Sequence, residues 1–115
     1  MIIGSISENK DKEKRISITP DIVKKYIDLG FQILLENDVG SHLGFNEEDY
    51  QKEGVQFLDN DELVISKSNI LLQLNILDNE KLNLLKKNQT LIAVLNPYFN
   101  KDKIKKLIEN KINCF

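Results

Sequence analysis

Thr19-Pro20-Asp21-Ile22-Val23-Lys24-Lys25-Tyr26-Ile27-Asp28-Leu29-Gly30 runs straight into Phe31-Gln32-Ile33-Leu34-Leu35-Glu36. Thr19 stands at an N-cap position, Pro20 at the first helical position, and Asp21 in the first turn, where the positive end of the helix dipole favours an acid. Ile22, Val23, Tyr26, Ile27 and Leu29 recur at helical spacing, and Gly30 supplies the stop. The apolar run after the glycine reads as a strand. Upstream, Ile2-Ile3-Gly4-Ser5-Ile6 reads as another, set off by the polar run from Ser7 to Lys14. Two strands joined by a helix-length crossover form a parallel pair.

The same alternation continues to the end of the chain. Asn37 to Gly44 reads as a loop, and Asn46 can cap a short helix through Glu47, Glu48, Asp49 and Tyr50 that ends near Gly54. Val55-Gln56-Phe57 predicts a short strand. Asn60 or Asp61 opens a helix to about Lys67, and Asn69 to Leu74 predicts a strand. Asp78 to Lys87 predicts a helix with Leu82 and Leu85 on one face, and Thr90 to Leu95 a buried strand. Asn100 to Asn110 predicts a helix with Ile104, Leu107 and Ile108 facing inward. Ile112 to Phe115 starts one more strand. The expected fold is α/β: an open parallel sheet with helices on both faces, a Rossmann-like or flavodoxin-like three-layer domain. The chain stops inside an apolar strand, so we expect a partial domain, truncated at its C-terminus.

The 115 residues are 41% hydrophobic and 30% charged, with 16 basic and 18 acidic side chains and a net charge of −2. That length fits one domain. The charge leaves no strongly basic surface for a nucleic acid backbone, so no nucleic-acid partner is expected. The single cysteine, Cys114, excludes an internal disulfide. Stretches such as Ile70–Leu72 and Leu91–Leu95 fall far short of the ~20 apolar residues that span a bilayer. No basic start and apolar run of a signal peptide opens the chain.

Little of the usual site chemistry is present. No G-x-G-x-x-G follows a strand, and no phosphate-binding G-x-x-x-x-G-K-[ST] occurs. One Cys and one His, His42, cannot assemble a zinc site, and no metal site is expected. His42 beside Gly40 and Gly44 reads as a surface loop residue. Glu47, Glu48 and Asp49 read as acids in a helix's first turn. Arg15 differs, as the one arginine in a chain that uses lysine almost everywhere else. It lies between the first strand and the capped helix, on the side of a parallel sheet where ligands bind. Its guanidinium could clamp a carboxylate or phosphate, or form an ion pair with Glu8 or Glu13.

Ile6-Ser7-Glu8, the run Glu13-Lys14-Arg15-Ile16-Ser17-Ile18-Thr19-Pro20, and Val23 form one block. Gly30-Phe31, Ile33-Leu34-Leu35-Glu36, Gly40, Gly44-Phe45, Asp49-Tyr50 and Gly54 continue it. Together they resemble the opening of the alanine dehydrogenase / nicotinamide nucleotide transhydrogenase family. In the alanine dehydrogenase branch this domain carries a substrate-binding Arg, a Lys and a catalytic His. By resemblance Arg15 falls on the first, while Asn75 and Asn96 stand at the other two. An amide neither binds a carboxylate as a cation nor exchanges a proton near neutral pH. Leu95-Asn96-Pro97-Tyr98-Phe99-Asn100 instead resembles the corresponding segment of the transhydrogenase alpha subunits.

That resemblance implies hydride transfer between NAD(H) and NADP(H), coupled to proton movement across a membrane. It implies NAD(H) and NADP(H) as cofactors of the complete enzyme, a homodimer through the alpha subunit, and a transhydrogenase beta subunit as partner. It places the soluble domain at the cytoplasmic face of the inner membrane. The family's dinucleotide-binding fingerprint lies beyond residue 115, so no cofactor-binding residue is expected within 1–115 and no catalytic residue is assigned. Arg15 remains the one candidate, as a substrate-binding or structural residue. The alternatives are an amino-acid dehydrogenase of the alanine or saccharopine type, and a stand-alone module that holds an anion through Arg15.

Overall fold

The computed structural model describes residues 1–115. In chain order it contains β1 (Ile2–Ser5), α1 (Pro20–Asp28), β2 (Gln32–Glu36), α2 (Glu47–Gln51), β3 (Gln56–Leu58) and α3 (Asp61–Lys67). Then come β4 (Ile70–Asn75), α4 (Asn79–Leu82), β5 (Thr90–Val94), α5 (Lys101–Glu109) and β6 (Asn113–Cys114), with a 3₁₀ turn at Ser41–Leu43. All six strands are parallel, in the order β3-β2-β1-β4-β5-β6. The chain winds outward from β1 to β3, returns through α3 to the other flank of β1, and winds outward again. No helix is long and apolar enough to cross a membrane.

Local chemistry accounts for most of these boundaries. Pro20 opens α1 as expected, although the Thr19 side chain makes no cap bond. Gly30 follows with φ of 98°, a conformation that favours glycine. Asn46 and Asp49 form a reciprocal capping box on α2. Asn60 caps α3 by accepting from the N–H groups of Glu62 and Leu63. Gly4 has a different reason: a Cβ there would collide with the Ser68 side chain, so glycine lets α3 approach β1.

Alternating strand residues feed two cores. One face joins Leu34, Leu71 and Leu91 to Val64, Ile65, Leu82 and Leu107 from α3, α4 and α5. The other joins Ile3, Ile33 and Leu35 to Val23 of α1 and Tyr50 of α2. Three expectations need correction. The helix expected over Asp78–Lys87 is one turn, Asn79–Leu82, because the chain then turns, and Asn88 takes a φ of 74°. β5 is not buried throughout, since Val94 is 62% exposed. Ile108 faces outward and is 65% exposed, because only Leu107 points into the core from the end of α5.

The exposure at the end of β5 follows from where the helices lie. The crossovers around β5 both pass over the face that Leu91 occupies, and no helix covers the opposite face. Ile92, Val94 and Phe115 are therefore exposed together on adjoining strands. Exposed apolar sheet surface promotes association. We expect the 115-residue chain to self-associate, with a weight-average mass in analytical ultracentrifugation that rises with concentration. A single concentration-independent monomer would contradict this.

Candidate functional site

β1 and β4 are neighbours in the sheet, and their carboxyl ends meet where the winding reverses. Ligands of open α/β sheets lodge at such a switch point. A crevice of about 470 Å³ opens there, with Ser7, Glu8, Glu36, Gln73, Asn75 and Lys103 in its walls.

A buried polar network builds the inner wall. Gln73, 4% exposed, accepts the Ile6 N–H through Oε1 at 2.8 Å and donates from Nε2 to the Ile6 carbonyl at 3.1 Å. These two bonds fix which way its amide faces. The same Nε2 donates to Glu8 Oε1 at 3.2 Å, and the Leu74 N–H donates to that oxygen at 2.6 Å. Ser5 Oγ donates to Gln73 Oε1 at 3.0 Å and lies 2.8 Å from Ser17 Oγ. Ser17 in turn donates to the Leu72 carbonyl at 2.9 Å. The glycine-free segment between β1 and α1 is thereby fastened along the edge of β4. Every buried side-chain polar atom in the chain has a partner.

The crevice carboxyls are perturbed. Burial raises the pKa of Glu8, and the amide N–H groups of Leu74 and Asn75 pull it partly back. Burial also raises Glu36, which accepts the Ser7 N–H at 3.4 Å. Glu13, outside the crevice, is held down at about 2, chiefly by hydrogen bonds from the Arg15 side chain. Burial pushes the Tyr50 phenol up to about 12, and its hydroxyl donates to the Ile18 carbonyl at 2.9 Å.

These shifts set opposite pH dependences. A raised carboxyl binds its proton more tightly in the folded state, so its stability advantage is complete below the unfolded value near 4.5 and lost as pH rises through the folded value. Glu13 acts the other way: its contribution is present above 4.5 and lost as pH falls towards 2. We expect Glu8→Gln to weaken the fall in stability as pH rises above about 4.5 in urea titrations. An unchanged slope would show that Glu8 is not the titrating group.

The structure separates the residues singled out in the sequence. Asn75 lines the crevice. Asn96 does not; it sits in the turn after β5 with φ of 49°, its carbonyl accepting from Phe99 and Asn100. The Arg15 side chain is 80% exposed and grips Glu13 through two bonds, Nε to Oε1 at 2.9 Å and Nη2 to Oε2 at 2.8 Å. Of its two expected ion-pair partners, the arginine takes Glu13 and leaves Glu8 to the β4 backbone. His42 is exposed, and its Nε2 lies 2.6 Å from the Lys14 carbonyl. Gln73, the centre of the network, carried no signal in the sequence.

A dinucleotide finds no phosphate cradle here. Between β1 and α1 there is no glycine to admit a pyrophosphate, and no helix N-terminus preceded by a glycine-rich turn opens onto the crevice. The principal phosphate contacts of such a cofactor do not fit these residues.

A parallel six-stranded sheet wound outward from β1 in both directions, with a polar crevice at its switch point, defines a Rossmann-like α/β domain. Residues 4–115 match the family described as Alanine dehydrogenase/PNT, N-terminal domain, and the chain belongs to that family. It is 28% identical over 113 residues to the NAD(P) transhydrogenase subunit alpha of Haemophilus influenzae, covering 98% of this chain and 22% of that protein. It is 25% identical over 109 residues to alanine dehydrogenase 1 of Staphylococcus aureus, covering 95% of this chain and 29% of that protein. The fold superposes on the transhydrogenase of Sinorhizobium meliloti with a TM-score of 0.91 at 20% identity, over all of this chain and 34% of that one. The chain thus spans 22–34% of the length of these proteins.

Proposed function

We propose that the chain is the N-terminal part of the NAD(H)-binding alpha subunit of a proton-translocating NAD(P) transhydrogenase. The observation that carries this reading is the pair of amides at Asn75 and Asn96. Asn75 lines the switch-point crevice as a neutral side chain, and Asn96 is an exposed amide in the turn before α5. Neither can supply the cation or the proton-exchanging group that amino-acid deamination needs at these positions. The alpha-subunit relative at 28% identity supports the same branch. In this reading a hydride leaves NADH and reduces NADP⁺, giving NAD⁺ and NADPH. The pyrophosphate is held by residues outside 1–115. A second alpha subunit and a beta subunit complete the assembly at the cytoplasmic face of the inner membrane.

The test is made on the complete coding sequence, expressed with its neighbouring subunit genes. Hydride transfer from NADH to thio-NADP⁺, without NADH-dependent amination of pyruvate, is the expected result. The reverse pattern would replace the reading with an amino-acid dehydrogenase, the activity named for the Staphylococcus aureus relative.

Arg15 has a distinct test in the same assembly. An exposed ion pair contributes little to stability, so Arg15→Lys should leave the melting temperature nearly unchanged. A lysine cannot reproduce the two-bond fork that now holds Glu13, and we expect hydride transfer or subunit assembly to fall. Unchanged turnover and unchanged melting would make the arginine an ordinary surface pair.

A further inference from the structure

We infer that the outer flank of α5, with the turn that leads into it, docks the domain on an anionic lipid surface. The charge and apolar patterns that point there are independent of the hydride-transfer reading.

The first observation is that the net charge of −2 conceals a division along the chain. Residues 1–80 carry eight basic and 16 acidic side chains, whereas residues 81–115 carry eight lysines against Asp102 and Glu109 alone. Such asymmetry between two parts of a chain points to a charged surface as partner. Of these eight lysines only Lys81 forms an ion pair, with Asp61, and Lys103 donates to the Leu77 carbonyl at 3.0 Å. The other six form no ion pair within the chain.

The second is an apolar stripe set among those lysines. Leu107 points into the core and Lys103 reaches back to Leu77, just before α4. Helical spacing then puts Lys101, Ile104, Lys105 and Ile108 together on the flank turned away from α4. With Pro97 and Glu109 they line one open groove. At the head of the helix Tyr98 and Phe99 are 88% and 86% exposed, and Ile108 is exposed towards its other end. Large apolar side chains left in water on one surface mark an interaction site.

Lysines interleaved with apolar side chains suit the boundary between lipid headgroups and acyl chains. The ammonium groups meet lipid phosphates, while the lysine stems and the neighbouring apolar side chains enter the acyl boundary. A nucleic acid would use the lysines but gives Ile104 and Ile108 nothing to stack on.

Co-sedimentation with sucrose-loaded vesicles provides the test, with phosphatidylcholine alone or in equimolar mixture with phosphatidylglycerol. We expect the chain to partition roughly tenfold more strongly onto the anionic vesicles, and to be released as salt is raised. Lys101→Glu with Lys105→Glu should lower that partition about tenfold. Lys24→Glu with Lys25→Glu changes the net charge equally, but on α1, which packs on the other face of the sheet. That pair should lower it by less than about threefold. Tyr98→Ser with Phe99→Ser should weaken binding about tenfold and leave its salt dependence in place. All six substituted side chains are exposed, so the fold is retained. Equal partition onto both vesicles, equal effects of the two lysine pairs, or no effect of the aromatic pair would overturn the inference. Binding to polyglutamate or to a single-stranded oligonucleotide, without binding to vesicles, would overturn it as well.

Discussion

Replacing Gln73 with leucine is expected to cost the domain about 3–4 kcal/mol, more than the loss of any surface contact in the structure. The side chain is nearly inaccessible and its amide closes a ring with the N–H and the carbonyl of Ile6, while also meeting Ser5 and Glu8. Leucine matches its volume but satisfies none of these groups. A buried donor or acceptor stranded in this way costs roughly 1–3 kcal/mol, and the Ile6 N–H and carbonyl are both stranded. For a domain of about 100 residues the melting temperature should fall by roughly 15 °C. Gln73→Glu is the informative companion: it keeps an acceptor for Ile6 but loses the donor and puts a second carboxylate against Glu8. It should therefore not rescue. A loss below about 1 kcal/mol for Gln73→Leu, read from urea denaturation, would mean that water replaces the amide and that the network does not hold the segment after β1.

This network also marks where the sequence stops being informative. The winding of the sheet was legible because its signals are local: Pro20 and Gly30 bracket α1, Asn46 with Asp49 and Asn60 with its first turn cap α2 and α3, and apolar runs follow each stop. Each of those rests on residues a few positions apart. Gln73 and Ile6 are 67 positions apart, and a glutamine flanked by leucines in a strand reads as an outward-facing polar residue. Its burial follows from the pairing of β1 with β4, which no local pattern encodes. The position of Glu8 in the crevice was hidden for the same reason. Arg15 shows the opposite failure. Its rarity in the composition drew notice, whereas the structure gives it a nearby carboxylate two residues away and leaves the side chain mostly in solvent. On β5 the apolar run Leu91–Leu95 looked buried on both sides, because apolar content does not say whether a helix exists to cover the second face.

β5 supplies the other large effect, and the contrast within one strand makes it decisive. Leu91 is fully buried, paired in register with Leu71 of β4 and Cys114 of β6, and packed into the cluster that includes Leu107 and Ile112. Val94, three residues on, lies on the open face of the same strand. Leu91→Ala removes buried methyl groups and leaves a cavity that the strands on either side prevent from collapsing. The expected loss is about 3–4 kcal/mol, within the range for such truncations and a large part of the ~5–15 kcal/mol that holds a typical domain folded. Val94→Ala removes comparable apolar surface that is already largely in water, so its cost should stay within about 0.5 kcal/mol. The same change should weaken self-association in the ultracentrifuge, since it trims the exposed patch shared with Ile92 and Phe115. Paired urea denaturations of the two variants provide the comparison. Similar losses in both would mean that the open face of β5 is covered in solution, and the exposed patch would have to be read as a packed surface.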